Sequence, residues 1–301
     1  MRRTRDHDRR SDPRRAARGR RSRLGAPAVR AQPDGHLRRG RRRRGADRAQ
    51  GLTLQELQAS KRDGRKIVAV VAWDFQTARI LERAGVDLVS VGDSVGVNLW
   101  GREDPLDVTM GEMVLVCRAV RRGVTRALVS CDFPYGPLQD GPESALRAAR
   151  RLVDEGGADI VKLDGAAAHL DAVAAVAAAG IPVFAQFGAT PQSGERSETP
   201  DALVAQAKAL EEVGASLLDF THSGPVAGPQ VVAAVSIPVL GGLGGGPWLD
   251  GRVRMIHRAT GYDIRALDTP PDAYANVARM TFDAVSAYAD DVRAGRQIKG
   301  A

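Results

Sequence analysis

From residue 51 onward, short apolar runs of strand length alternate with longer amphipathic stretches. The first run, Lys66–Trp73 (KIVAVVAW), is nearly continuous in apolar residues, as expected of a strand buried on both faces. Phe75–Ala84 follows with helical spacing and stops at Gly85, a common C-terminal cap. The unit then repeats. Strand-like runs lie at Val86–Gly92, Ala127–Phe133, Ala158–Leu163, Ile181–Phe187, Ser216–Phe220 and Ile237–Gly241, with an eighth at Arg252–His257. Helical stretches lie at Leu52–Ser60, Met110–Arg122, Glu143–Glu155, Ala168–Ala179, Asp201–Val213 and Pro229–Val235, and from about Asp272 to Ala294. Eight alternations in about 250 residues predict an α/β fold, a closed (β/α)8 barrel of TIM type, spanning 51–301. An open dinucleotide-binding sheet usually carries a Gly-rich turn after its first strand; here Trp73-Asp74-Phe75 stands there.

The segment before the barrel is of another kind. Residues 1–50 hold 19 Arg and 5 Asp, which leaves 25 basic and 31 acidic side chains for the rest, so the overall charge of +8 belongs to the tail. With no aromatic residue and almost no apolar periodicity, residues 1–50 are expected to be a disordered basic tail. An arm that displaces phosphate counterions is the alternative reading of its arginines. Thirteen aromatic residues give little material for base stacking, so nucleic acid is not the expected partner. Cys117 and Cys131 are too few for a disulfide framework or a cysteine zinc site and point to a reducing, cytoplasmic setting. No run of 18 apolar residues occurs, and no membrane partner is expected.

In a barrel, chemistry gathers where strands end. Those positions carry Asp74, Asp93-Ser94, Asp132, Lys162 and Asp164, Gln186, Thr221-His222 and the loop Gly241–Gly246. Carboxylates crowded at one mouth repel each other unless protonated or joined by a cation, and oxygen ligands favour Mg²⁺ or Mn²⁺ over zinc. Asp74 is read either as a helix N-cap or as a site residue. Lys162, in an otherwise apolar strand, needs a charged partner. The glycine loop either cradles an anion or lets the chain turn tightly.

Taken together, VGDSVG (Val91–Gly96), CDFPYG (Cys131–Gly136), VKLDG (Val161–Gly165), GATPQS (Gly188–Ser193) and IPVLGGLGGG (Ile237–Gly246) form a recognisable series. With Asp250-Gly251 and AYADDVRAGR at Ala287–Arg296, the body resembles the ketopantoate hydroxymethyltransferase (3-methyl-2-oxobutanoate hydroxymethyltransferase) family, within the phosphoenolpyruvate mutase and isocitrate lyase superfamily. The resemblance implies a transferase of pantothenate biosynthesis, built as a homo-oligomer. It implies an Mg²⁺ site at Asp93 and Asp132, with Asp164 in place of the family's glutamate, one methylene shorter. It implies that Ser94 and Lys162, beside Asp132, bind a branched 2-oxo acid. The cation would act as a Lewis acid on an enolate formed at C3, which then attacks a one-carbon unit from 5,10-methylenetetrahydrofolate.

Four departures stand against the family pattern. Gln186 replaces a histidine, Thr221 replaces the glutamate thought to be the base, and His257-Arg258 replaces a His-Asp pair. The lid segment after TPQS is absent, since Ser193 leads almost directly into the next helix, which counts against the folate half of the reaction. His222, at the end of strand six, is the candidate replacement base, because an imidazole suits proton abstraction. Leu217, Asp219 and Thr221 share the other face of that strand, Asp219 lying about 6–7 Å deeper than Thr221. Two alternatives accompany the main reading: a diverged carbon–carbon lyase or aldolase that uses no folate, and a non-catalytic barrel kept for binding.

Overall fold

The computed structural model describes residues 51–189 and 199–300. The expected tail at 1–50, most of the GATPQS segment and the shortened lid lie outside the described residues. The strands are β1 Ile67–Val71, β2 Leu88–Val91, β3 Leu128–Asp132, β4 Ile160–Leu163, β5 Val183–Gly188, β6 Leu217–Thr221, β7 Val239–Leu240 and β8 Gly251–Met255. Around them run α1 Leu54–Arg62, α2 Phe75–Ala84, α3 Val95–Asn98, α4 Met110–Arg121, α5 Gly136–Gln139, α6 Pro142–Arg151, α7 Leu170–Ala178, α8 Pro200–Glu212, α9 Ala227–Ala234, α10 Ile256–Thr260 and α11 Val277–Arg293. All strand pairs are parallel, in the order β7-β6-β5-β4-β3-β2-β1-β8. The remaining seam, β7 against β8, is joined by two backbone hydrogen bonds, Asp250 N–H to the Val239 carbonyl at 2.9 Å and Val253 N–H to the Gly241 carbonyl at 3.2 Å. The predicted (β/α)8 barrel is the observed fold.

Local chemistry explains why the units begin and end where they do. Thr53 and Glu56 form a reciprocal capping box at the start of α1, and Thr109 and Glu112 do the same for α4. Asp74 is the N-cap of α2, its carboxylate accepting from the Thr77 amide at 2.8 Å. Gly85 ends that helix at φ 83°, a left-handed backbone suited to glycine. At the bottom of the barrel one device recurs before every β2, β4 and β8. Asp87 accepts the Val68 amide of β1 at 3.0 Å, Asp159 the Val129 amide of β3 at 2.8 Å, and Asp250 the Val239 amide of β7 at 2.9 Å. Each carboxylate pairs an amide that a bare strand end would leave unmet.

Among the boundaries that differ from the sequence expectation, two matter here. Strand eight stops at Met255, so His257 belongs to α10 and not to a strand. The last helix starts at Val277 and packs no buried residue against the barrel. As a result the outer wall of β1 and β8 stays open, with Val68 50 % exposed and Arg252 and Arg254 beside it.

Candidate active site

Period-two alternation decides which side chains enter the barrel. Near the floor these are Ile67, Leu88, Leu128, Ile160, Phe184 and Leu217, all buried and apolar. Two to four residues further along β2 to β6 the interior turns polar: Ser90, Asp132, Lys162, Gln186, Asp219 and Thr221 line a cavity of about 1010 Å³. Asp93, Ser94 and Asp164 join them from the βα loops. The sequence-derived site residues Ser94, Asp93, Asp132, Lys162, Asp164 and Thr221 therefore meet in one cavity.

Charge is concentrated on one side of it. The carboxylates of Asp93, Asp132 and Asp164 each offer an oxygen within 4.8 Å of the other two. The Lys162 ammonium lies against the Asp164 carboxylate, 3.2 Å from Asp132 Oδ2 and 3.8 Å from Asp219 Oδ2. Burial alone would lower the Lys162 pKa, but the carboxylates of Asp132, Asp164 and Asp219 reverse this and hold it well above the ordinary lysine range. Burial also pushes Asp93 up to about 7, helped by repulsion from Asp164 and opposed by Lys162. Asp132 rises well above the usual carboxylate range for the same first reason, against the pull of Lys162. Four carboxylates face one ammonium here. Asp132 Oδ1 is buried without a hydrogen-bond partner. An oxygen-only donor set with surplus negative charge and an unmet buried oxygen fits a hard divalent cation.

The opposite wall behaves differently. The Thr221 hydroxyl donates within reach of two carbonyls, Ala189 at 2.6 Å and Phe187 at 3.2 Å, so it is already engaged. His222 has a left-handed backbone, φ 53°, uncommon outside glycine. Its Nδ1 lies 3.1 Å from the Ala189 carbonyl, and it is not among the residues that line the cavity. Gln186 donates from Nε2 to Asp219 Oδ2 at 3.2 Å. His257 stacks on Trp73 with ring centroids 5.5 Å apart, and burial lowers its pKa, assisted by Arg258. The Gly241–Gly246 loop serves close packing. A Cβ at Gly246 would stand 2.3 Å from the Trp248 ring, and one at Gly241 2.8 Å from the Phe220 carbonyl.

A residue of the site that the strand ends did not reveal is Asp219. Its two-residue depth below Thr221 brings its carboxylate level with Lys162, not beneath the site. An acid inside the apolar run LLDF was the available signal, because a buried carboxylate requires a cationic or hydrogen-bonding partner.

The sequence model of the ketopantoate hydroxymethyltransferase family matches residues 51–297. The chain belongs to the ketopantoate hydroxymethyltransferase family. A 3-methyl-2-oxobutanoate hydroxymethyltransferase from Cyanothece sp. is 38 % identical over 255 residues, covering 80 % of this chain and 96 % of that protein. The homologue from Salinibacter ruber is 36 % identical over 252 residues, covering 80 % and 95 %. Among solved structures, 2,3-dimethylmalate lyase, a PEP mutase/isocitrate lyase superfamily member, superposes with a TM-score of 0.59 at 15 % identity, covering 82 % of this chain and 91 % of that one. A phosphonopyruvate hydrolase complex with oxalate and Mg²⁺ gives 0.52 at 19 % identity, covering 81 % and 88 %. By family the chain is a transferase enzyme.

Proposed function

We propose that this chain catalyses hydroxymethyl transfer to 3-methyl-2-oxobutanoate through an enolate, with Mg²⁺ as the resident metal. The observation that carries the reading is the triad Asp93, Asp132 and Asp164 set around the Lys162 ammonium in one cavity. Asp93 and Asp132 would hold the cation, with Asp164 as third ligand, directly or through a water. When bound, the metal supplies Lewis acidity at the 2-oxo acid. The chain's own residues do the rest. Ser94 and Lys162 bind the substrate carboxylate and ketone oxygen. The Lys162 ammonium, held by its carboxylates in one place, stabilises charge that grows on the C2 oxygen as C3 loses its proton. The aspartates keep that ammonium charged and pointed inward. The Mg²⁺ in the phosphonopyruvate hydrolase structure supports the metal, on the same fold.

The proposed one-carbon donor is 5,10-methylenetetrahydrofolate. A cavity of about 1010 Å³ lies at the upper end of ligand pockets, about 300–1,000 Å³, which leaves room for a second substrate beside a five-carbon acid. The engaged hydroxyl of Thr221, at the family's base position, favours a second reading, a carbon–carbon lyase or aldolase on a 2-oxo acid without folate. The proposed enzyme works as a homo-oligomer. Val277, Val285, Tyr288 and Val292 fall on one face of α11, which buries nothing on its own barrel. A second copy is the proposed cover, either through paired α11 helices or across the open β1–β8 wall, where Arg252 and Arg254 complement Asp283, Asp290 and Asp291 of the helix. Cys117 and Cys131 are both free, in keeping with a cytoplasmic protein. Among the described residues no helix is long and apolar enough to cross a membrane.

Deuterium exchange at C3 of 3-methyl-2-oxobutanoate, followed by proton NMR with Mg²⁺ and with EDTA, tests the reading. Exchange that needs Mg²⁺ is the expected result; no exchange with Mg²⁺ refutes the enolate. Product formation from tetrahydrofolate and formaldehyde then separates the transferase from the folate-free lyase.

A further inference from the structure

Abstraction of a C3 proton needs an acceptor, and the side chain at the family's position for one, Thr221, spends its hydroxyl on the carbonyls of Ala189 and Phe187. The same face of β6 holds one other titratable group. Asp219 lines the cavity and is 3 % exposed. Its two oxygens are treated differently. Oδ2 accepts from Gln186 Nε2 at 3.2 Å and stands 3.8 Å from Lys162 Nζ. Oδ1 is buried and meets no side-chain donor, and the Gly242 amide also acts on this carboxylate. Taking an acid out of water costs free energy that a partner must offset. Lys162 already has two nearer carboxylates, Asp132 and Asp164, so Asp219 is not needed to neutralise it.

We propose that Asp219 is the catalytic base of this chain, acting from the position two residues before Thr221. The inference rests on the enolate reading above. In the step, the C3–H bond breaks and the proton passes to the Asp219 carboxylate, which lines the cavity. The released pair forms the C2=C3 bond, and the carbonyl π pair moves to the C2 oxygen, on the side of the Lys162 ammonium. No oxidant or reductant enters. Gln186 has a matching part: a neutral amide at this place grips Oδ2 without adding charge, and so fixes the orientation of the carboxylate. Exchange follows when the new carboxylic acid trades its proton with solvent and returns a deuteron to C3.

The test compares C3 deuterium exchange in the full chain with Mg²⁺ for the unmodified protein, Asp219→Asn, Asp219→Ala and His222→Ala. Asp219→Asn keeps the shape and the Gln186 contact but cannot take a proton; exchange should fall by roughly 10²–10⁴-fold, with Mg²⁺ affinity by calorimetry unchanged. If the asparagine variant melts early, Asp219→Ala carries the test. Added formate should refill the space and restore exchange, which a merely structural aspartate would not produce. Exchange in Asp219→Asn within about threefold of the unmodified protein, or no formate rescue of the alanine variant, overturns the assignment. Loss in His222→Ala with Asp219→Asn still active gives the proton to the imidazole and also overturns it. If the unmodified protein fails to exchange, the enolate reading itself has failed, and the base with it.

Discussion

Asp93 stands where burial and charge crowding in the cavity act together. Its carboxyl is pushed from the ordinary 3.8 to about 7, first by burial and then by Asp164. Between those values the folded protein holds a proton that the unfolded chain has released. The unfolded state binds fewer protons, so stability falls as pH rises. The contribution is complete below the unfolded value, declines across the window, and is gone above about 7. One such group gives a slope of about 1.4 kcal/mol per pH unit. From pH 5 to 7, allowing for the rounded ends of both titrations, this comes to about 2 kcal/mol, or about 4–9 °C in Tm for a domain of this size. Asp93→Asn removes the titration. Melting curves of both proteins in EDTA should therefore separate, the variant gaining about 4–9 °C on the unmodified protein between pH 5 and 7. Saturating Mg²⁺ should stabilise the unmodified protein most at pH 7, where the carboxylate is free to bind it, and should shift the variant far less. Parallel melting profiles in EDTA would refute the reasoning, because Asp93 would then not be the group that keeps its proton.

Three further outcomes are expected. Lys162→Met leaves Asp132, Asp164 and Asp219 facing each other without an ammonium, so Tm should drop by the equivalent of about 3–5 kcal/mol at pH 7.5 and recover in part at pH 5.5 as the acids take up protons; an unaltered melt at pH 7.5 would contradict the arrangement. Asp159→Ala removes the acceptor of the Val129 amide and the partner of Arg121, 2.7 Å away, and should cost about 1.5–3 kcal/mol in urea unfolding, with metal affinity unchanged. Tyr288→Asp, on the open face of α11, should lower the solution mass measured by light scattering; an unmodified protein that is already monomeric refutes the assembly.

Much of this architecture was legible in the residues, for a physical reason. Strands buried on both faces must be apolar along their whole length, so Lys66–Trp73 and its successors stand out against amphipathic helices. Where polar residues interrupt such runs they must be satisfied, and Asp93, Asp132, Lys162 and Asp164 do meet at one mouth. The end of the chain was harder to read. His257 looks like the last residue of a strand, yet the ladder ends at Met255 and α10 starts at Ile256, because no periodicity separates a short strand from the helical turn that follows. Asp74 carried two readings in sequence, and only the Thr77 amide beneath its carboxylate decides for the cap. The open side of α11 was hidden too: an amphipathic pattern says that a face will be covered, not by which copy of the chain.

The shape of β6 explains why a displaced carboxylate would turn up where it does. Register fixes Asp219 opposite Gln186, and Thr221 opposite Gly188. With a period of two, a shift of one residue would move an acid from the barrel interior to the layer where Phe220 stacks on Phe187 at 4.6 Å. That layer is packed and apolar, and an unpaired charge there would be expelled or would unfold the strand. A shift of two residues keeps the interior face and lowers the group by one step of the pleat. At that lower step the neighbours are an ammonium and an amide, which can hold a carboxylate, and the cavity is still open above it. Beyond Thr221 the chain turns through a left-handed residue at His222, and its ring is drawn to the Ala189 carbonyl. Of the positions on this strand, only 217, 219 and 221 turn a side chain to the barrel interior. Leu217 is sealed in the floor and Thr221 is bound to carbonyls, which leaves Asp219.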